Sequence, residues 1–194
     1  MSLFRLILIP LALISMAACQ TTTSLPAPPK FSASAYDPMA LNARKLDIVN
    51  NWQMPMKTPY QEHLLSPNPT DILNDWASRV LLPAGGSGEL TLDVIEASVT
   101  LTDLAKSETL LDSFSDQQES LVRVTYHVML IWLQPVGGQQ GAVELRATAS
   151  QSLPESARPA DYDVAIQDTI LSALAQLDNE LRAEIQAVNG LVLP

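Results

Sequence analysis

The sequence predicts a single α+β domain in which a four-stranded, mostly antiparallel sheet is packed by two helices. Residues 121–134 are rich in apolar and β-branched side chains, and a glycine-rich turn at 135–141 leads into a second strand pattern. This arrangement is typical of a β-hairpin. Residues 160–188 place apolar side chains three or four positions apart, which is the period of an amphipathic helix. The predicted order of elements is strand, helix, strand, strand, strand and helix.

The first strand and the first helix are predicted from local patterns. Leu46 and Ile48 share one face of a strand over 43–50. After a loop with three prolines, Asn68 is a plausible cap for a helix over 70–82, with a proline and an acidic residue in its first turn. Trp76 lies on the apolar face of this helix, so we expect it to anchor the helix to the sheet.

The next strand shows a change of phase. Its apolar residues occupy one face up to Val94 and the other face from Ile95 onward, which predicts a β-bulge at this point. The return strand of the hairpin, over 142–152, is expected to turn one apolar face to the core. The residues of that face are Val143, Leu145, Ala147 and Ala149.

The N-terminus has the layout of a secretory signal. Arg5 is followed by an apolar run that is too short to span a membrane, then by small residues up to Cys19, the chain's one cysteine. The run Met16-Ala17-Ala18-Cys19 resembles the processing site of bacterial lipoproteins. The alternative is an ordinary secreted protein in which Cys19 is incidental.

The resemblance implies a division of the chain into three parts. Residues 1–18 are a signal peptide that is removed, residues 19–40 are the lipidated Cys19 and a flexible tether, and residues 41–194 are a periplasmic α+β domain. Two or three acyl chains, such as palmitate, anchor a protein stably in a membrane. Gln20 follows the cysteine where enteric bacteria place Asp to retain a lipoprotein at the inner membrane. The resemblance therefore favours the outer membrane, with the domain facing the periplasm.

Composition and motifs argue against several functions. Removal of the signal peptide leaves a net charge of about −11, which argues against nucleic acid as a partner. His63 and His127 are the only histidines and have no neighbours at metal-ligand spacing. Residues 85–89 fail the nucleophile-elbow pattern, and Glu180 and Glu184 fit a solvated helix face. We therefore expect no enzyme, no catalytic residue, no metal and no cofactor.

One segment, 128–133, is apolar at every position. A strand that is apolar on both faces must be covered on both. Val128, Leu130 and Trp132 are expected to face the core. The opposite face is predicted to be a partner-binding surface, which we call the outer patch; it consists of Met129, Ile131 and Leu133. The alternative is cover by the loop 50–69, which contains Trp52 and Met54.

The order of elements resembles that of the lipopolysaccharide-assembly lipoprotein that plugs its barrel partner in the outer membrane, and that of auxiliary lipoproteins of lipid-transporting ABC systems. The segments 76–79, 85–88 and 95–99 also resemble uncharacterised lipoproteins of alphaproteobacteria. These resemblances imply a non-enzymatic binding or accessory subunit in envelope assembly or lipid transport. They imply no ligand-binding residue, and the acidity of this chain departs from the basic ligand surface of the lipopolysaccharide-assembly family. The alternatives are an envelope-integrity lipoprotein without a dedicated partner, or a periplasmic hydrolase.

Overall fold

The computed structural model describes residues 27–104 and 118–194. The predicted signal peptide, Cys19 and the first part of the tether lie outside the described residues. Two short 3-10 helices, Ala33–Ala35 and Glu62–Leu64, accompany the main elements. The strands and helices are β1 (Met39–Leu41), β2 (Lys45–Asn50), α1 (Pro69–Val80), β3 (Leu81–Pro83), β4 (Glu89–Asp103), β5 (Gln118–Gln134), β6 (Gln139–Pro154) and α2 (Pro159–Gln186).

The main sheet has four strands in the order β2-β4-β5-β6. β2 runs parallel to β4, whereas β4, β5 and β6 are antiparallel to their neighbours. The predicted fold class and order of the main elements are therefore confirmed. The pairing of β4 with β5 shifts between Val94 and Glu96, so the predicted bulge is also confirmed. It moves the buried face of β4 from Leu92 and Val94 to Ala97 and Val99.

Both helices pack on one face of this sheet. α1 contacts β2 and β4, and α2 lies across β5 and β6. Trp76 of α1 is fully buried, and its Nε1 donates a hydrogen bond to Oδ1 of Asp178 in α2 at 2.9 Å. The other face carries no helix among the described residues. The two faces of β5 therefore have different surroundings, one against helices and the other open.

The start of α1 follows the predicted capping pattern. The backbone N–H of Asp71 donates to Oδ1 of Asn68 at 2.9 Å, and Pro69 occupies the first turn. At the start of α2, the backbone N–H of Arg158 donates to Oδ2 of Asp161 at 2.8 Å. Both caps satisfy backbone or side-chain groups that a helix end otherwise leaves to water.

Residues 27–40 differ from the predicted tether. Met39 lies in β1, which pairs in parallel with β3 and is buried. Phe31 and Tyr36 are partly buried against the core. Asp37 accepts a hydrogen bond through its backbone oxygen from Arg182 of α2. The second half of the tether assigned to 19–40 thus packs on the domain, because its apolar side chains find a place beside the helices.

Candidate functional site

The outer patch lies near the hairpin end of β5, on the face opposite α1 and α2. Ile131 and Leu133 expose 38% and 46% of their surfaces, and Met129 is partly buried. Val128 and Leu130, on the opposite face, are fully buried. The side chains of this strand therefore alternate between core and surface as the sequence predicts. The role of the outer patch as a partner surface stays a prediction.

The loop 50–69 does not cover the outer patch. The backbone N–H of Trp52 donates to Val94 O, that of Gln61 to Val99 O, and that of Leu101 to Pro59 O. The loop therefore follows the edge of β4 beyond the end of β2. The Trp52 ring packs against the core, and Ile131 and Leu133 stay exposed, so this loop does not cover these two residues.

The acidic residues nearest the patch are engaged within the chain. Asp93, which pairs with Met129 across the strands, accepts a hydrogen bond from Asn51 Nδ2 at 2.8 Å. Glu89, opposite Leu133, forms ion pairs with basic residues next to and in β2. Glu144, which pairs with Met129 from β6, lies against His127 Nε2. Each of these three carboxylates therefore has a partner within the chain.

A polar network occupies the same sheet face beside the patch. Arg146 Nη2 donates to His127 Nδ1 at 2.9 Å, and Arg146 Nη1 donates to Glu96 Oε2 at 3.0 Å. His127 Nε2 lies 2.5 Å from Glu144 Oε1. Because a guanidinium can only donate, His127 Nδ1 accepts and its ring proton lies on Nε2, directed at Glu144. Both ring nitrogens are thus occupied, and His127 is a strand-face residue as predicted.

A shallow depression adjoins the patch at the hairpin. Its lining residues are Ile131, Trp132, Leu133, Gln140 and Gly141. Gly141 pairs with Trp132 across the strands, and a Cβ at this position would collide with the indole ring. The absence of a side chain at Gly141 therefore leaves room for the Trp132 ring beside the backbone of β6.

Glu62 is a buried polar residue that sequence reasoning missed. Its side chain is fully buried in the short 3-10 helix, and its Oε2 accepts a hydrogen bond from the backbone N–H of Val99 at 3.2 Å. A buried carboxylate in a loop leaves no periodic signal in the sequence. Its contact ties the loop to the edge of β4, so its position has a structural reason.

Within residues 27–104 and 118–194, no group of three or more His, Cys, Asp or Glu side chains could hold a metal ion. Glu180 and Glu184 are exposed on α2.

None of the helices in the described ranges is long and apolar enough to cross a membrane.

No protein-family model and no curated protein matches this chain. It is similar to a solved structure of a presumed lipoprotein from Caulobacter crescentus, with 16% identity over 72% of this chain and 86% of that one, at a TM-score of 0.31. Rare lipoprotein B from Shewanella oneidensis has 12% identity, over 72% of this chain and 98% of that one, at a TM-score of 0.28. A minor lipoprotein from Acinetobacter baumannii has 13% identity, over 74% of this chain and 96% of that one, at a TM-score of 0.33.

Bacterial lipoproteins are therefore among the solved structures to which this chain is similar, in agreement with the resemblance that the sequence predicted. Scores of this size say nothing about the activity of the chain. Its function has to be argued from its own residues.

Proposed function

We propose that this chain is a lipoprotein anchored in the outer membrane through acyl chains on Cys19, with its domain facing the periplasm. It acts by binding and not by catalysis, as an accessory subunit of an envelope assembly or lipid-transport system. The observation that carries the binding role is the exposure of Ile131 and Leu133 on the face of the sheet opposite α1 and α2.

The neighbouring strands support this interpretation of the patch. A sheet with one face in water normally alternates apolar and polar residues. β4 follows this rule with Thr91, Asp93 and Glu96 on the open face. β5 follows it at His127 but departs from it from Met129 to Leu133. Full burial of an exposed apolar side chain contributes about 1.5–3 kcal/mol. Because Ile131 and Leu133 have 38% and 46% of their surfaces left to bury, the two together would supply about 1–3 kcal/mol in a complex.

Membrane anchoring makes such a modest surface sufficient. A tethered protein meets its partner at a raised effective concentration, so weak contacts give a stable assembly. A binding role therefore requires both the anchor and the patch, and each can be tested separately.

The anchor is tested by Cys19→Ser. This variant should lose metabolic labelling with palmitate and should leave the washed membrane fraction. Gln20→Asp is the matched variant: in an enteric host it should keep its acyl label and move from the outer to the inner membrane. Labelling that persists in Cys19→Ser would overturn the anchor, and an unmoved Gln20→Asp would overturn the outer-membrane argument.

The patch is tested with one substitution at three positions, Leu133→Lys, Leu130→Lys and Leu64→Lys. Leu133 belongs to the outer patch, Leu130 is fully buried, and Leu64 lies in the loop with 70% of its surface exposed. Leu130→Lys should unfold the domain, since it buries an unpaired charge. Leu133→Lys should melt close to the unchanged protein but lose its partner, and Leu64→Lys should keep both fold and partner.

Partner binding is measured with a photo-crosslinking amino acid at Ile131 in intact membranes. The expected result is a specific adduct with a component of an envelope assembly or transport system, which Leu133→Lys removes and Leu64→Lys keeps. If Leu133→Lys melts as early as Leu130→Lys, the chain covers this face itself. If only abundant membrane proteins are captured, and Leu133→Lys captures them equally, the dedicated-partner role is wrong.

A further inference from the structure

The outer edge of β6 is long and unpaired among the described residues. β6 is the last strand of the sheet and has 16 residues. Its backbone pairs with β5, and neither the isolated bridges nor the loop hydrogen bonds of the described chain reach its other edge. The free N–H and C=O groups of such an edge form a template for another strand.

β6 carries two charged side chains, which are two positions apart along the strand. Glu144 and Arg146 therefore share the open face of the sheet. Their side chains are 63% and 54% exposed. Each has one partner or more within its own chain, but a carboxylate and a guanidinium both have further capacity for hydrogen bonds.

We propose that β6 pairs antiparallel with β6 of a second copy, in a register centred on Leu145, so that one sheet continues across both copies. In this register Glu144 of each copy lies opposite Arg146 of the other, which gives two complementary pairs. A centre at residue 144 would set Glu144 against itself, and a centre at residue 146 would set Arg146 against itself. Like charges directly opposite each other destabilise a strand pair, so the charges select the register.

The remaining residues of the seam fit this pairing. Leu145, a core residue, lies opposite Leu145 of the second copy at the centre of the seam. Beside the charged pairs, Ala142 lies opposite Thr148 and Val143 lies opposite Ala147, so these outer pairs join small and medium-sized side chains. Proline, which would interrupt pairing, occurs only at the end of the strand. α2 lies across β5 and β6, about one strand spacing from the two-fold axis, so the two copies of α2 would be about 10 Å apart, a normal packing distance for helices.

The test uses the full chain, purified from membranes in detergent, and sedimentation analysis of its oligomeric state. The unchanged protein should be a dimer. Glu144→Arg places Arg opposite Arg, and Arg146→Glu places Glu opposite Glu, so each variant alone should dimerise roughly tenfold more weakly or worse. A mixture of the two variants with different affinity tags restores both complementary pairs and should give the heterodimer.

The mixture contains its own control. Both substitutions disturb ion pairs within the chain, but that disturbance is the same in the mixture as in each variant alone. Recovery on mixing therefore reports the contact between copies, and melting curves of each variant check its fold. If these variants fail to fold, a photo-crosslinker at the exposed Ala142 should label the region of Thr148 in a second copy of the otherwise unchanged chain.

The proposal is overturned if the unchanged protein is monomeric over a wide concentration range, if the single variants remain dimeric, or if their mixture gives no heterodimer. A crosslink from Ala142 to another protein in place of a second copy also overturns it. Leu133→Lys lies off the seam and should stay dimeric. A variant that loses the outer-patch partner but stays dimeric bears on the proposed function alone. A variant that loses the dimer but keeps the partner bears on this proposal alone.

Discussion

Trp76 is the position at which stability can be predicted most sharply. Its indole is fully buried between α1 and the sheet, and its N–H donates to Asp178 at 2.9 Å. Asp178 also accepts from Arg182 Nε at 2.7 Å, so the hydrogen bond belongs to a network that joins the two helices. Replacement of Trp76 therefore has a packing part and a hydrogen-bonding part, and two substitutions separate them.

Trp76→Ala removes both parts and should lower the free energy of unfolding by about 3–5 kcal/mol. Trp76→Phe keeps most of the ring but removes the donor to a charged acceptor, so its expected cost is about 1.5–3 kcal/mol. Asp178 keeps Arg182 as a partner in both variants. Trp52→Phe is the matched control, because the buried Nε1 of Trp52 has no hydrogen-bond partner within the described residues. Removal of this N–H should lower the free energy of unfolding by less than about 1 kcal/mol.

Urea unfolding followed by circular dichroism measures all three variants, and the reasoning requires equal slopes with shifted midpoints. A cost under about 1 kcal/mol for Trp76→Ala would show that this helix face is not an anchor. Equal costs for Trp76→Phe and Trp52→Phe would show that the bond to Asp178 contributes nothing beyond ring volume.

Three further changes have definite expected outcomes. Gly141→Val should destabilise the fold by about 1–3 kcal/mol, measured by urea unfolding, because its side chain would collide with Trp132. Asn68→Ala removes the cap of α1 and should cost about 1 kcal/mol in the same assay. The hydrogen bond from the Arg158 side chain holds the pKa of Asp161 below its ordinary value. The contribution of this hydrogen bond to stability is therefore present at neutral pH and is lost as the pH falls through the lowered pKa. Arg158→Leu should raise the pKa of Asp161, as carboxyl NMR titration would show, and an unchanged titration would contradict the pairing.

The parts of the fold that the sequence predicted are those in which one periodic pattern extends over many residues. The strand predicted at 121–134 is found as Gln118–Gln134, and the helix predicted at 160–188 is found as Pro159–Gln186. In these segments the local period and the tertiary burial agree, because each element is long enough to turn one whole face to the core. The bulge after Val94 was predictable for the same reason, since it shifts an otherwise regular pattern.

The parts that were missed depend on contacts between distant segments. β1 and β3 have three residues each, which is too short for a period, and they exist because they pair with each other. Residues before β1 were predicted as tether from their prolines, but Phe31 and Tyr36 pack against the core. Glu62 is buried because its carboxylate meets a backbone N–H of β4, a contact that no local pattern records.

The sequence of β5 showed that its end needs cover on both faces, but it could not distinguish cover by the same chain from cover by a partner. The path of the loop along β4 leaves Ile131 and Leu133 exposed, and the pairing proposed for the outer edge of β6 adds a geometric consequence. A two-fold axis normal to the sheet keeps the open faces of two paired copies on one side, with their outer patches three strand spacings apart across the seam. Along the strand direction, Ile131 of one copy and Ile131 of the other are offset by six residues. This offset, combined with the three strand spacings across the seam, puts the two patches about 25 Å apart. A partner that bridges this distance would bind with avidity. Arg146→Glu, at a position that pairs with His127 and not with a residue of the outer patch, would then weaken its binding by separating the two copies.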